Sequence, residues 1–332
     1  MNPKENALRI IKFDSPERIV GGIPGHDISY FGVNHEPFEG VGGHDSPVGT
    51  KWKDIWQVGW HKEMEGVMGY AVGHPLADLN VDKYDWPDPD DPRLTDVIYK
   101  KAEEADVEIR DQKFLSGSHR ETLWERAYNL VGMDRIMMAF VDEPNAVKEI
   151  LHHIMDFQLG IAKHYIEAGI EVAGTGGDLG SQTSLLFSPD ILNEFFVAEL
   201  RRIYDYYSEH NVIISRHCCG HVEPVLETFI ELGIDVLNPI QVTANNLENI
   251  INVTKGRMSL QGGISTHLIM NGPIEEIKKE THKAMWILGR GGGYFCGPDQ
   301  GMPFPEDHIE ALRDTVNEYG VYPLTPPQEN VE

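Results

Sequence analysis

Ile170-Glu-Val-Ala-Gly-Thr175 is a short apolar run with the pattern of a buried strand, and helical patterns lie on both sides of it. Upstream, apolar side chains recur at helical spacing between Val147 and Tyr165, with Pro144 in the first turn and Gly169 as the stop. Downstream, Ser188-Pro189 supplies an N-cap and a first helical proline. This alternation of helix and strand predicts a parallel sheet, because parallel neighbours need a crossover connection.

The alternation continues to the end of the chain. Further strands are predicted at about 212–217, 235–240, 257–262 and 292–297, and helices near 221–232, 245–252, 273–288 and 306–319. Ile19–Ile23 and Gln112–Ser116 add strand candidates, and no Gly-x-Gly-x-x-Gly opens a helix as a dinucleotide-binding sheet would require. We therefore predict a (β/α)8 TIM barrel, with residues 1–332 as a single domain. The irregular first hundred residues are predicted to form long loops and a small hairpin near Trp56–Val72.

Composition narrows the class of protein. The 332 residues carry 28 Lys and Arg against 53 Asp and Glu, and a formal charge of −25 disfavours nucleic acid and anionic membrane surfaces as partners. No window approaches the roughly 18 apolar residues of a membrane span. Of three cysteines two are adjacent, which suits reduced thiols better than a disulfide. We expect a soluble, cytoplasmic protein.

The densest chemical signal is Ser215-Arg-His-Cys-Cys-Gly-His221, at the end of a predicted strand. Because side chains alternate along a strand, His217 and Cys219 share a face and Cys218 takes the other. Cys296 ends the last predicted strand, so it is expected at the same carboxyl-terminal rim of the barrel. One imidazole and two thiolates suit Zn²⁺ and leave an open coordination position. The alternative is that these are ordinary buried cysteines and a core histidine.

Residues with weaker signals follow other strands or lie in the N-terminal loops. Asp178 follows the strand beginning at Ile170, where it can supply a further oxygen ligand or only cap a turn. Amides past strand ends can orient a substrate or bond only to loops, and these are Gln182, Asn238 and Gln241. Three candidates for an aromatic-lined lid over the substrate are Tyr30, Phe31 and His35. The alternative for those three is a small satellite core.

Seven stretches together resemble the uroporphyrinogen decarboxylase superfamily and its branch of corrinoid-linked methyltransferases. They are Gly73-His-Pro-Leu-Ala-Asp-Leu79, Trp86-Pro-Asp-Pro-Asp-Asp-Pro92, Trp124-Glu-Arg-Ala-Tyr128, Gly177-Asp-Leu-Gly-Ser-Gln182, His217-Cys-Cys-Gly220, Leu237-Asn-Pro-Ile-Gln241 and Gln261-Gly-Gly-Ile264. The resemblance implies zinc held by His217, Cys219 and Cys296. The Arg-Gln-Ala-Gly-Arg segment with which the decarboxylases bind substrate carboxylates has no counterpart before residue 60.

The resemblance implies a zinc-dependent methyltransferase that acts as an O-demethylase component. A methyl group would pass from a small-molecule donor, preferably a methoxylated aromatic, to the cobalamin of a partner corrinoid protein. Alternatives are transfer from methylcobalamin to a thiol of the coenzyme M type, a metal-free decarboxylase, or a non-catalytic corrinoid-binding scaffold; a homodimer is left open. On this hypothesis Cys296→Ser loses the zinc and Cys218→Ser keeps it.

Overall fold

The computed structural model describes residues 1–327, and ten strands lie within them. They are β1 (Gly25–Asp27), β2 (Lys51–Lys53), β3 (Gly59–His61), β4 (Tyr70–Gly73), β5 (Phe114–Ser118), β6 (Val172–Gly176), β7 (Ile213–His217), β8 (Val236–Ile240), β9 (Ser259–Ile264) and β10 (Tyr294–Pro298). Seven of them form one sheet in the order β1-β5-β6-β7-β8-β9-β10, with every adjacent pair parallel. The predicted parallel sheet is confirmed.

Helices connect these strands and cover the outside of the sheet. They are α1 (Pro3–Ile11), α2 (Pro92–Glu104), α3 (Val107–Gln112), α4 (Trp124–Val131), α5 (Met133–Asp142), α6 (Pro144–Glu167), α7 (Pro189–Ile191), α8 (Val197–Glu209), α9 (Leu226–Glu231), α10 (Leu247–Thr254), α11 (Thr266–Asn271), α12 (Ile274–Gly289) and α13 (Glu306–Tyr319). A π-helical turn, Leu192–Phe196, joins α7 to α8. The Ser188 side chain accepts from the Ile191 backbone N–H, as expected of an N-cap. Within residues 1–327, no helix combines the length and the hydropathy needed to cross a bilayer.

The sheet curls so that its two edges approach each other, which agrees with the predicted TIM-barrel-like fold. The backbone N–H of Cys296 in β10 donates to the Val20 carbonyl at 2.9 Å, just before β1. Residues 19–23, predicted as a strand, are irregular, and the assigned strand begins only at Gly25. Isolated bonds to the neighbouring backbone replace a regular ladder there.

Helix α1 plugs the amino-terminal end of the barrel. Ala7, Ile10 and Ile11 pack in one cluster with the first inward-facing side chains of five strands, which are Phe114, Val172, Ile213, Val236 and Phe295. The Ser259 hydroxyl is within hydrogen-bond distance of the Ile10 and Ile11 carbonyls, at 3.2 Å each. This cluster fixes which side chains of each strand face the barrel interior.

The N-terminal region is more regular than its composition indicates. The hairpin predicted near residues 56–72 is a three-stranded antiparallel sheet, in the order β2-β3-β4. The interpretation of the first hundred residues as loops and a hairpin is wrong for α1 and α2. Helix α2 begins behind an Asp91 N-cap with Pro92 in its first turn, a start signal within the Trp-Pro-Asp-Pro stretch.

A buried charge cluster fastens this N-terminal region to the barrel. Arg126 of α4 lies 3.1 Å from an Asp54 oxygen and 3.0 Å from a Glu121 oxygen. His35 lies 3.1 Å from the other Glu121 oxygen, and its ring lies against Trp60 with 4.1 Å between centroids. Burial opposes ionisation of Glu121, but Arg126 and His35 outweigh it and hold the pKa of that carboxyl low.

Candidate metal centre

Strand β7 and the residues directly after it carry two of the three side chains at the centre of the site. Ile213 faces the plug helix inside the barrel, so alternation also points Ser215 and His217 inward. The strand ends at His217, and the chain continues past it through Cys219 at the carboxyl-terminal rim. The prediction that this stretch ends a barrel strand is confirmed.

Asp178, His217 and Cys219 form a compact group with three different ligand atoms. A side-chain oxygen, nitrogen and sulfur of these residues lie within 4.8 Å of one another. Cys219 Sγ is 3.1 Å from His217 Nε2, which is 3.6 Å from Asp178 Oδ1. The Cys219 backbone N–H donates to the same Asp178 oxygen at 2.8 Å. Asp178 comes from the loop after β6, the strand that pairs with β7, so two neighbouring strands build the group.

The imidazole of His217 is held in the orientation that a metal ligand needs. His217 Nδ1 is 3.1 Å from Asn238 Oδ1, and the Asn238 amide nitrogen donates to the Ser215 hydroxyl at 3.1 Å. Because the amide oxygen can only accept, Nδ1 carries the proton and Nε2 presents its lone pair to Cys219 and Asp178. His217 remains 45% exposed and Asp178 36% exposed, so a small molecule can reach them.

The donor set fits zinc. One imidazole nitrogen, one thiolate and one carboxylate are all zinc ligands, and three protein ligands leave a position for substrate. Without a cation, burial and the nearby Asp178 raise the pKa of the Cys219 thiol above its ordinary value. Coordination deprotonates such a thiol. A divalent cation would therefore compensate the negative charge of Asp178 and Cys219.

A cavity of about 440 Å³ opens beside Asp178 and His217. Nine of its twelve lining residues are polar or charged, and the full set is Met68, Ser118, Arg120, Glu121, Glu125, Gly174, Thr175, Gly176, Asp178, Ser215, His217 and Asn238. The volume lies within the range of small-molecule sites. A small molecule in this cavity would contact Asp178 and His217, the two members of the group that line it.

Arg120 is held at this mouth by an unusual backbone. Its φ is +26°, in the region that favours glycine. Its carbonyl oxygen lies so close to Gly176 that a Cβ there would be 1.7 Å away, so only glycine fits. The Arg120 guanidinium donates to the Asn34 side-chain oxygen at 2.7 Å. Sequence reasoning missed Arg120, although its place just past β5 meets the rule that rim residues build the site.

Glu125 is a second lining residue that sequence reasoning missed. Its carboxyl has no ion-pair or hydrogen-bond partner recorded among the described residues 1–327. Burial, with smaller contributions from Asp178 and Glu121, raises the pKa of Glu125 to about 8. A carboxyl that is largely protonated near neutral pH can donate a hydrogen bond into the cavity. The sequence signal that could have identified Glu125 was its position in Trp124–Tyr128, one of the stretches that carry the family resemblance.

Comparison with known proteins identifies the family. The family model described as uroporphyrinogen decarboxylase (URO-D) matches residues 65–319. The chain belongs to the URO-D family. No curated protein matches it. Among solved structures, a methyltransferase from Methanosarcina mazei aligns with a TM-score of 0.70 and 17% identity, over 96% of this chain and 99% of that chain.

A B12-independent methionine synthase from Shewanella sp. W3-18-1 aligns with a TM-score of 0.44 and 12% identity, over 66% of this chain and 64% of that chain. At 17% identity the alignment with the Methanosarcina mazei structure bears on the fold alone. The URO-D family and the likeness in fold agree with the superfamily that the sequence resembles. The identity of the ligand atoms rests on the geometry of this chain.

In this URO-D family member, Cys296 does not join the ligand group. Phe295 packs against the plug helix inside the barrel, so the next residue points outward into the surrounding layer of helices. Cys296 is fully buried in the main core cluster. Burial raises the pKa of its thiol to about 12. The sequence placed the residue at the correct rim but assumed the wrong face of the strand, and the structure groups Asp178 rather than Cys296 with His217 and Cys219.

Gln300, which sequence reasoning did not single out, reaches the site from the loop after β10. Its Nε2 donates to Cys219 Sγ at 2.6 Å. Two of the amides predicted from the sequence, Gln182 and Gln241, bind within loops. Gln241 Oε1 accepts from the Gly220 backbone N–H at 2.6 Å, and Gln182 Nε2 lies 3.4 Å from the same Gln241 oxygen. Neither Gln182 nor Gln241 lines the cavity described above, whereas Asn238 does.

The predicted aromatic lid does not line that cavity either. Tyr30 is buried in the core, edge-on to Phe157 at 5.9 Å. Phe31 stacks on Phe38 at 6.0 Å between centroids. His35 is fully buried in the charge cluster with Glu121. All three side chains therefore contribute to packing in the N-terminal region, which was the alternative considered from the sequence.

Proposed function

We propose that this chain is a zinc-dependent methyltransferase of the URO-D family. The observation that carries the proposal is the group of Asp178, His217 and Cys219 side chains at the carboxyl-terminal rim, where Asp178 and His217 line an accessible cavity. This is where active sites of (β/α)8 barrels are built. The likeness in fold to a methyltransferase supports the same proposed function.

The residues of this chain would bind and orient the methyl donor. Zinc held by Asp178, His217 and Cys219 would polarise the heteroatom that bears the methyl group and make it a better leaving group. Asn238 keeps the His217 ring in place, and Glu125 offers a hydrogen bond from inside the cavity. Positioning of this kind is a large part of what a protein can contribute to a displacement at carbon.

The donor that suits the cavity is a small methyl ether with polar substituents. A methoxylated aromatic of one ring, the preferred donor from the sequence, remains within the volume of about 440 Å³. The predicted aromatic lid no longer supports this donor, because Tyr30, Phe31 and His35 do not line the cavity. The guanidinium of Arg120 instead favours a donor with a carboxylate or hydroxyl group.

The acceptor in this proposal is reduced cobalamin on a separate corrinoid protein. The reverse arrangement, in which a thiol accepts a methyl group from methylcobalamin, uses the same three ligands, because zinc also activates thiols. A porphyrinogen decarboxylase is disfavoured, because Arg120 is the only guanidinium or ammonium among the described cavity residues and three carboxyl groups line the same space. The described lining therefore offers a polyanionic substrate a single positively charged side chain.

Two parallel assays test the proposed function. Zinc-loaded protein is incubated with cob(I)alamin and 3-methoxybenzoate, or with methylcob(III)alamin and a small thiol, and the cobalamin spectrum is followed. We expect methyl transfer above the protein-free rate in the first assay, and none after His217→Ala. Activity in the second assay alone would show that the methyl group passes from methylcobalamin to the thiol. No zinc-dependent transfer in either assay would refute the proposal.

Substituting Glu125 provides a test through pH. Because burial raises the pKa of Glu125 from 4.5 to about 8, the folded chain binds this proton more tightly than the unfolded chain. The resulting stability is complete below about pH 4.5 and is lost as pH rises through about 8. Glu125→Gln cannot titrate. In urea unfolding of metal-free protein, the stability of wild type relative to this variant should fall between about pH 5 and about pH 9; a constant difference would contradict the assignment.

A further inference from the structure

Arg216 is a buried cation, and among residues 1–327 its guanidinium forms no ion pair with a carboxylate within 4 Å. It lies on the outward face of β7, is 2% exposed, and sits over the Phe229 ring at 4.9 Å. Its guanidinium donates to the Tyr204 hydroxyl at 2.8 Å and to the Gly177 carbonyl at 3.0 Å. Burying a charge without an opposite charge is costly. A buried guanidinium beside the Asp178 loop therefore indicates a specific role for Arg216.

Cys218 holds the same loop from the same face of the strand. The Leu179 backbone N–H donates to Cys218 Sγ at 3.4 Å, and Cys218 is fully buried. Residues on either side of Asp178 are therefore anchored to β7 and the residue that follows it, Gly177 by Arg216 and Leu179 by Cys218. Asp178 itself accepts from the Cys219 backbone N–H.

The two faces of one short stretch thus have complementary tasks. His217 and Cys219 present the imidazole and the thiol, while the intervening residues reach behind them to the loop that bears the carboxylate. We propose that Arg216 and Cys218 are positioning residues that hold Asp178 in place as the third metal ligand. The inference rests on the metal site of the proposed function and adds residues that never touch the metal.

Two substitutions separate the hydrogen bond of Arg216 from its charge. Both the hydrogen bond to Gly177 and the charge are lost in Arg216→Met, whereas Arg216→Lys keeps the charge.

The experiment is a Co²⁺ titration of the metal-free full chain, with the absorption spectrum as the second readout. For Arg216→Met we expect Co²⁺ affinity to fall by about 10–100-fold, the usual cost of removing a residue that orients a ligand. The thiolate-to-cobalt absorption should persist while the ligand-field bands change. Arg216→Lys should recover part of the affinity. Phe229→Leu, which alters packing against the same guanidinium but leaves the loop contacts, is the matched control and should bind as wild type does.

Cys218 supplies a second pair of variants that does not depend on Arg216→Met being folded. Cys218→Ser keeps an acceptor for the Leu179 N–H and should bind Co²⁺ nearly as wild type does, while Cys218→Val removes the acceptor and should bind more weakly. Wild-type affinity and spectrum in folded Arg216→Met, or in Cys218→Val, would overturn the inference and leave the metal site standing. Absence of Co²⁺ and Zn²⁺ binding by wild type would refute the metal site itself.

Discussion

Arg126→Met is expected to lower the free energy of unfolding by about 3–5 kcal/mol, the usual cost of removing one partner from a buried ion pair. Arg126 is 2% exposed and neutralises both Asp54 and Glu121. Its loss removes the guanidinium from two buried carboxylates, which keep only the neighbouring imidazole of His35 and their neutral hydrogen-bond donors. The fall in stability is measured by urea unfolding at neutral pH.

Arg257→Met is the matched control for that variant. Arg257 pairs with Glu227 at 2.7 Å, but 44% of its side chain is exposed. Exposed pairs contribute about 0–1 kcal/mol. A loss below about 1 kcal/mol for Arg126→Met would show that the buried cluster does not fasten the N-terminal region as described.

Cys219→Ser and Cys296→Ser are expected to separate the two cysteines by function. Cys219→Ser should weaken zinc binding by more than about 100-fold, since loss of an outer partner alone costs about 10–100-fold. Cys296→Ser should keep zinc, because this side chain points away from the cluster into the core. Competition with a chromophoric chelator measures both affinities. This expectation reverses the one drawn from the sequence for Cys296.

Both variants are compared after their folding has been checked by circular dichroism and urea unfolding. Cys296→Ser puts a hydroxyl into the core and is expected to be destabilised without losing zinc. Loss of zinc from folded Cys296→Ser, with retention in Cys219→Ser, would contradict the ligand set. Retention in both would show that the thiols are not ligands.

The alternation of strands and helices after residue 145 was predictable, because apolar spacing and capping residues are local signals. The pair of His217 and Cys219 was predictable for a related reason, since two residues separated by one share a face of a strand. Asp178 was recognised as a candidate because the glycine-rich loop follows a strand end. Its closeness to His217 depends on β6 and β7 being neighbours in the sheet.

The face of β10 could not be derived in the same way. Which of Phe295 and Cys296 points inward depends on the plug helix α1, some 280 residues away in sequence, which packs on Phe295. The lid aromatics were misplaced for a similar reason. A run of aromatic residues looks the same whether it lines a cavity or fills a core, and here long-range contacts of Tyr30 and His35 decide for the core.

X-ray absorption at the zinc edge of the zinc-loaded full chain tests the central claim most directly, because it counts the sulfur ligands. Coordination by Asp178, His217 and Cys219 predicts one sulfur at about 2.3 Å, with the remaining ligands nitrogen or oxygen at about 2.0–2.2 Å. Two sulfur ligands would contradict the account, because a second cysteine would then bind the metal in place of Asp178.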